Sequence, residues 1–104
     1  MEQYNIRHTK SALRDLDGIL QYISIELEAP ETALKMIETI EHSIGNLSYM
    51  PHRCALVDDE RLAAMGYRKL IIKNYIAFFT IEELTLTINI ERILYARRDW
   101  LNIL

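Results

Sequence analysis

One stretch restricts the fold of this chain more than any other: Gly66–Trp100, GYRKLIIKNYIAFFTIEELTLTINIERILYARRDW. Side chains alternate across a strand, so a period of two marks a half-buried strand and a continuous apolar run marks one buried on both faces. By that rule Arg68, Leu70 and Ile72 share one face of a first strand, while Tyr67, Lys69, Ile71 and Lys73 take the other. Lys73–Asn74 makes a two-residue turn, with Asn74 suited to the left-handed geometry such turns need. Tyr75–Ile81 is apolar on both faces apart from Thr80 and reads as a central strand. Glu82–Glu83 turns the chain again. A last strand then sets Leu84, Leu86, Ile88 and Ile90 inward and Thr85, Thr87, Asn89 and Glu91 outward. Ile93 breaks this rhythm by falling on the polar phase. Either a bulge at Arg92–Ile93 re-aims the downstream residues, or Ile93 covers a second small cluster.

A three-stranded apolar face needs a cover, and the first half of the chain supplies it. Leu13, Leu16, Leu20, Ile23 and Leu27 step by three or four residues, with Ala12 and Ile19 widening the stripe; this spacing predicts an amphipathic helix. Thr9 or Ser11 caps its start, and Arg14, Asp15, Asp17, Glu26 and Glu28 fall on its solvated side. Ala29–Pro30 ends it, because proline disfavours helix in the preceding residue and suits the first turn of the next. A second helix over about residues 31–48 carries Ala33, Ile37, Ile40, Ile44 and Leu47 inward. Two such helices joined by so short a turn form an antiparallel hairpin with one shared apolar face. Before them, Tyr4, Ile6 and His8 lie on one side of a short strand within residues 3–8. Residues 52–65 form a less regular connection with one helical turn at Asp59–Met65. The predicted architecture is α+β, one domain over residues 1–104, in the order β-α-α-β-β-β, with an N-terminal strand and helical hairpin packed on a mainly antiparallel sheet.

Composition narrows the function classes. The net charge of −3 argues against nonspecific coating of nucleic acid. The charge is uneven: residues 1–50 hold four lysines and arginines against eight acids, residues 51–104 eight against seven. Cations therefore concentrate in the sheet-forming half, where a site is expected. No apolar run reaches membrane-spanning length, and the N-terminal MEQYNIRHTK has no signal-peptide core, which predicts a cytoplasmic protein with no membrane partner. Cys54 is the only cysteine and reads as inert packing. His8, His42 and His52 show no metal-ligand spacing with it, so neither a metal nor another cofactor is expected. Nucleophile elbows, phosphate-cradling glycine loops and paired carboxylate motifs are missing from the sequence.

The ordered set of local motifs resembles the RelE/ParE superfamily of type II toxin-antitoxin (plasmid stabilisation) toxins. Thr9, Ala12, Asp15 and Leu16 look like that family's first helix. Gly66–Tyr67–Arg68, then Asn74–Tyr75 with Phe78–Phe79, look like its central hairpin; Ile88, Ile90, Arg92, Ile93 and Arg97–Arg98–Asp99 look like its last strand and tail. The likeness spans nearly the whole chain. It implies a cognate antitoxin whose acidic, partly disordered segment folds on the toxin in a hetero-oligomeric complex. Two targets fit: DNA gyrase, poisoned without catalysis as by ParE-like toxins, or mRNA on the translating ribosome, cleaved as by RelE-like endoribonucleases. A binding-only member is a third reading.

Cleavage would need a base for the RNA 2′-hydroxyl, an acid for the leaving oxygen and cations for the phosphoryl charge. In that case Arg68, Lys73, Arg92, Tyr95 and Arg97 are the catalytic candidates, with the Tyr95 hydroxyl lowered by neighbouring cations to act as base. Each has a plainer reading: Arg68 and Arg92 in ion pairs, Lys73 solvated, Tyr95 a half-buried ring. Lys69, Arg97, Arg98 and Trp100 are the candidates for partner or target binding, Trp100 also as part of a tail packed back on the domain. Two departures favour the gyrase reading: Ile76 stands where ribonuclease members often carry Arg, and Tyr95 where many carry His. The acidic balance points the same way, since a ribosome binder depends on many phosphate contacts.

Overall fold

A computed structural model describes residues 2–104. Its elements are β1 (Asn5–His8), α1 (Lys10–Gln21), α2 (Pro30–Gly45), α3 (Glu60–Ala64), β2 (Arg68–Ile72), β3 (Tyr75–Glu82), β4 (Thr87–Tyr95) and α4 (Trp100–Ile103). The strands form one sheet in the order β1-β4-β3-β2; β1 runs parallel to β4 and the other pairs are antiparallel. This is the expected α+β plan, with β3 and β4 both central.

The hairpin of α1 and α2 covers one face. Ala12, Ile19, Ile23, Ala33, Ile40, Ile44 and Leu47 pack there against Ala77, Phe79, Ile88, Ile90 and Ile93. The burial is shifted around α1 from the leucine stripe: Leu16 and Leu20 are half-buried, and Leu13 and Leu27 are exposed. Thr9 caps α1 by accepting the Ala12 amide at 3.1 Å. After Gln21 the helix widens into one π-helical turn, Tyr22–Glu26, and Glu28 reverses the chain at φ +51° just ahead of the N-terminal proline of α2.

The other face is covered too, which the sequence pattern left open. Val57 and Leu62 from the connection, with Trp100, Ile103 and Leu104 from the tail, close over Ile76, Phe78 and Leu94. That second cluster explains why Tyr75–Ile81 is apolar on both sides. Asp59 caps α3 by accepting the Leu62 amide at 2.9 Å.

Four expectations about the strands are corrected. The last strand starts at Thr87, not Leu84: a turn over Glu83–Leu86 places Leu84 fully in solvent, and Leu86 takes φ +49°. In the Lys73–Asn74 turn, Lys73 adopts the left-handed φ of +54°, in place of Asn74. Asn89 points into buried space; its amide donates to Glu82 at 2.9 Å and its carbonyl accepts from Arg7. The bulge lies one step earlier than the slip suggested: Phe78 pairs with Arg92 and Phe79 with Ile90, leaving Glu91 as the extra residue. The extra residue returns Ile93 to the face of Ile88 and Ile90.

At the far end of the sheet Glu83 joins three distant segments. It accepts from the Tyr4 hydroxyl at 2.9 Å and contacts His52 Nε2 at 2.5 Å. The bond from Tyr4, then that from His52, holds the Glu83 carboxyl below its ordinary value of 4.5. A depressed carboxylate contributes stability that is present above its unfolded-state pKa and lost as pH falls through the folded one. The stability difference between the native chain and Glu83→Gln is therefore expected to shrink as urea unfolding is moved from pH 7 to below about 4.5. A difference that stays constant across that window would remove Glu83 from the acid sensitivity of the fold.

Candidate functional site

β1 pairs with β4 only through Ile90, so the rest of the outer edge of β4 needs other partners. α1 provides them. The Thr9 hydroxyl donates to the Glu91 carbonyl at 3.0 Å, and Asp15 Oδ2 accepts the Ile93 amide at 2.9 Å. The same carboxylate takes the Arg92 guanidinium in two bonds, Nε at 2.7 Å and Nη2 at 2.9 Å. Asp15 thus lies at the helix–strand junction and not on the solvated side of α1. Its bonds hold Arg92 above the ordinary arginine pKa and fix the segment downstream of the bulge.

That segment forms one wall of an open groove of about 770 Å³ between the helical hairpin and the sheet. Ile19, Ile23, Leu27, Met36 and Ile93 make an apolar floor. Tyr22, Tyr75 and Tyr95 also line the groove, the last two edge-to-face with ring centroids 5.8 Å apart. Burial, then the neighbouring Tyr95 and Tyr22 hydroxyls, raise the Tyr75 pKa. Arg14, Asn74 and Arg98 line the groove as well, and at Gly18 in α1 an added Cβ would meet nothing within 4 Å.

The nuclease candidates do not share one place. Arg68 donates to the Cys54 carbonyl at 2.6 Å and more weakly to that of His52, tying the connection to β2. Arg92 is held by Asp15. Lys73 is at the exposed tip of the β2–β3 turn, and Arg97 is exposed after β4. Tyr95 alone of the five lines the groove. Among the binding candidates, Arg98 joins Tyr95 there, and Lys69 stands half-buried opposite Phe78 on β2. Trp100 packs on Phe78 with centroids 5.1 Å apart, so the tail folds back on the domain. Sequence reasoning missed Arg14, Tyr22 and Asn74 as site residues. The available signal was Gly18, a helix-weakening residue in the middle of an otherwise strong helical pattern.

Burial raises the Cys54 thiol pKa, consistent with packing rather than reactivity. Among the described residues, no three His, Cys, Asp or Glu side chains come together as a metal site, and no helix is long and apolar enough to cross a membrane.

Comparison with known proteins places this geometry in context. The family model for the ParE toxin of the type II toxin-antitoxin system parDE matches residues 6–100. Among solved structures, the chain is similar to one from the chromosomal ParDE toxin-antitoxin system of P. aeruginosa, with 26% identity and a TM-score of 0.75 over 91% of this chain and 98% of that one. It shares its fold with a chain of the RelBE2 toxin-antitoxin complex of Mycobacterium tuberculosis, at 23% identity and a TM-score of 0.65, over 91% and 93% of the two chains. No curated protein sequence matches the chain.

Proposed function

Since the chain belongs to the ParE toxin family of type II toxin-antitoxin systems, we propose that it arrests growth by binding DNA gyrase and that an antitoxin segment seated in the groove holds it inactive. The observation that carries the non-catalytic reading is the commitment of Arg68 and Arg92 to the scaffold. A phosphoryl-transfer site needs cations free to face the developing charge, and these two are already engaged by the Cys54 carbonyl and by Asp15. Ile76, at the position where ribonuclease members often have Arg, is buried against the second cluster. The groove supports the antitoxin reading: Ile19, Ile23, Met36 and Ile93 line it together with Arg14 and Arg98, a mix of apolar and cationic groups that suits an amphipathic acidic segment. The likeness to a ParDE toxin-antitoxin structure also supports it.

Induction of the gene alone is expected to stop growth, and co-expression of a cognate antitoxin to restore it. Tyr95→Phe is the discriminating variant. It keeps the ring contact with Tyr75 but has no ionisable hydroxyl, so toxicity is expected to stay within about twofold of the native chain. Loss of toxicity in a folded Tyr95→Phe protein, measured as colony survival after induction, would point to proton transfer at Tyr95 and to the ribonuclease reading.

A further inference from the structure

The connection ahead of α3 shields part of the outer edge of β2, which is the last strand of the sheet. The Lys69 amide donates to the Ala55 carbonyl at 3.1 Å, the Val57 amide donates to the Tyr67 carbonyl at 3.0 Å, and Leu56 bridges to Arg68. Val57 also belongs to the second core cluster. No long helix or strand anchors this segment, and it starts from a costly conformation: Met50 stands at φ +55°, in the left-handed region that a side chain disfavours. Its hold on the sheet therefore depends on side-chain ties.

We propose that His52 and Glu83 form a pH-sensitive clasp, which holds this segment on β2 while His52 is protonated and loosens it as His52 becomes neutral. His52 Nε2 lies 2.5 Å from Glu83 Oε1, joining the connection to the turn between β3 and β4. The other Glu83 oxygen accepts from the Tyr4 hydroxyl at 2.9 Å, and the Tyr4 ring meets His52 edge-on with centroids 6.0 Å apart. Glu83 is thus anchored on the side of β1, independently of His52. Histidine is the side chain that ordinarily changes charge between pH 5 and 8. The other ionisable groups around the clasp keep their state there. Arg68, which donates to the His52 and Cys54 carbonyls, stays cationic, as does Arg53. Tyr4 stays protonated through its bond to Glu83, Cys54 through burial, and Glu2 stays anionic. Rising pH therefore turns an ion pair into a weaker bond between a neutral imidazole and a carboxylate. The two side chains are 48% and 58% exposed, so the change loosens the segment without unfolding the domain.

Amide hydrogen exchange of the full chain tests the clasp, read as protection factors at Val57 and Lys69. From about pH 5.5 to about pH 8, protection at both amides is expected to fall about two- to fivefold. It should stay below that of the β3 and β4 amides throughout, because the segment opens on its own. His52→Gln is expected to hold the lower protection at every pH, and His52→Lys, with its permanent cation, the higher one. His42→Gln, on α2, should leave the fall intact. Protection in the native chain that does not change with pH, or a fall that persists in His52→Gln, would overturn the clasp. Equal protection at Val57, Lys69 and the central strands would also overturn it, since the segment would then open only with the whole domain.

Discussion

Asp15→Ala is expected to lower the stability of the chain by about 3 kcal/mol, lowering its melting temperature by roughly 10–20 °C for a domain of this size. The carboxylate has three bonds to lose: two from Arg92 and one from the Ile93 amide. Its side chain is 11% exposed and that of Arg92 is 25%, so water can compensate only in part. Deleting one member of a buried pair strands the other charge and costs about 3–5 kcal/mol; the partial exposure of Arg92 places the effect at the lower end. The orphaned Ile93 amide adds its own desolvation cost. Asp15→Asn keeps an acceptor for that amide and should lose about half as much. Urea unfolding followed by circular dichroism checks the order Asp15, Asn, Ala. An alanine variant within about 1 kcal/mol of the native chain would mean that the α1–β4 junction is held by packing alone.

Phe78→Ala is expected to be still more damaging, at about 3–5 kcal/mol. Phe78 is fully buried on the second face of the sheet, where Trp100, Leu62 and Ile76 surround it. That cluster is small, so a cavity there cannot be refilled by the first core, which lies across the backbone of β3 and β4. Phe78→Leu leaves less empty space and should cost about 1.5 kcal/mol. Trp100 is the chain's single tryptophan and packs on this ring, so its fluorescence reports the loss directly. Trp100→Ala should cost less than Phe78→Ala because Trp100 remains partly exposed. Equal costs would show that the tail is as essential to this face as the central strand.

Much of this architecture was legible in the sequence, because it follows from periodicity and backbone chemistry. The 3.6-residue stripes placed both helices, Pro30 placed the break between them, and the doubly apolar Tyr75–Ile81 placed a central strand. Where the pattern misled, an unpaired strand edge or the length of a turn decided a residue's place. Asp15 reads as a surface acid by its helical position, yet the unpaired edge of β4 recruits it. Leu84 reads as an inward strand residue by its alternation, yet the turn runs on to Leu86, the strand begins three residues later at Thr87, and Leu84 is left in water. The slip at Ile93 did signal the bulge, but pairing alone could locate the extra residue at Glu91. The candidate site was less visible. Tyr95 and Arg98 stood out because they belong to the C-terminal cation cluster. Arg14, Tyr22 and Asn74 come from a helix, its π-helical end and a hairpin turn, and only the fold brings them to one groove.

Binding a target and cleaving one leave different traces in a single paired experiment. Purified chain, free of antitoxin, should be assayed in parallel for inhibition of DNA gyrase supercoiling and for cleavage of mRNA on translating ribosomes. The expected result is supercoiling inhibition that rises with toxin concentration and is reversed by the antitoxin, with the mRNA left intact. Codon-dependent mRNA cleavage with unimpaired supercoiling would contradict the gyrase reading.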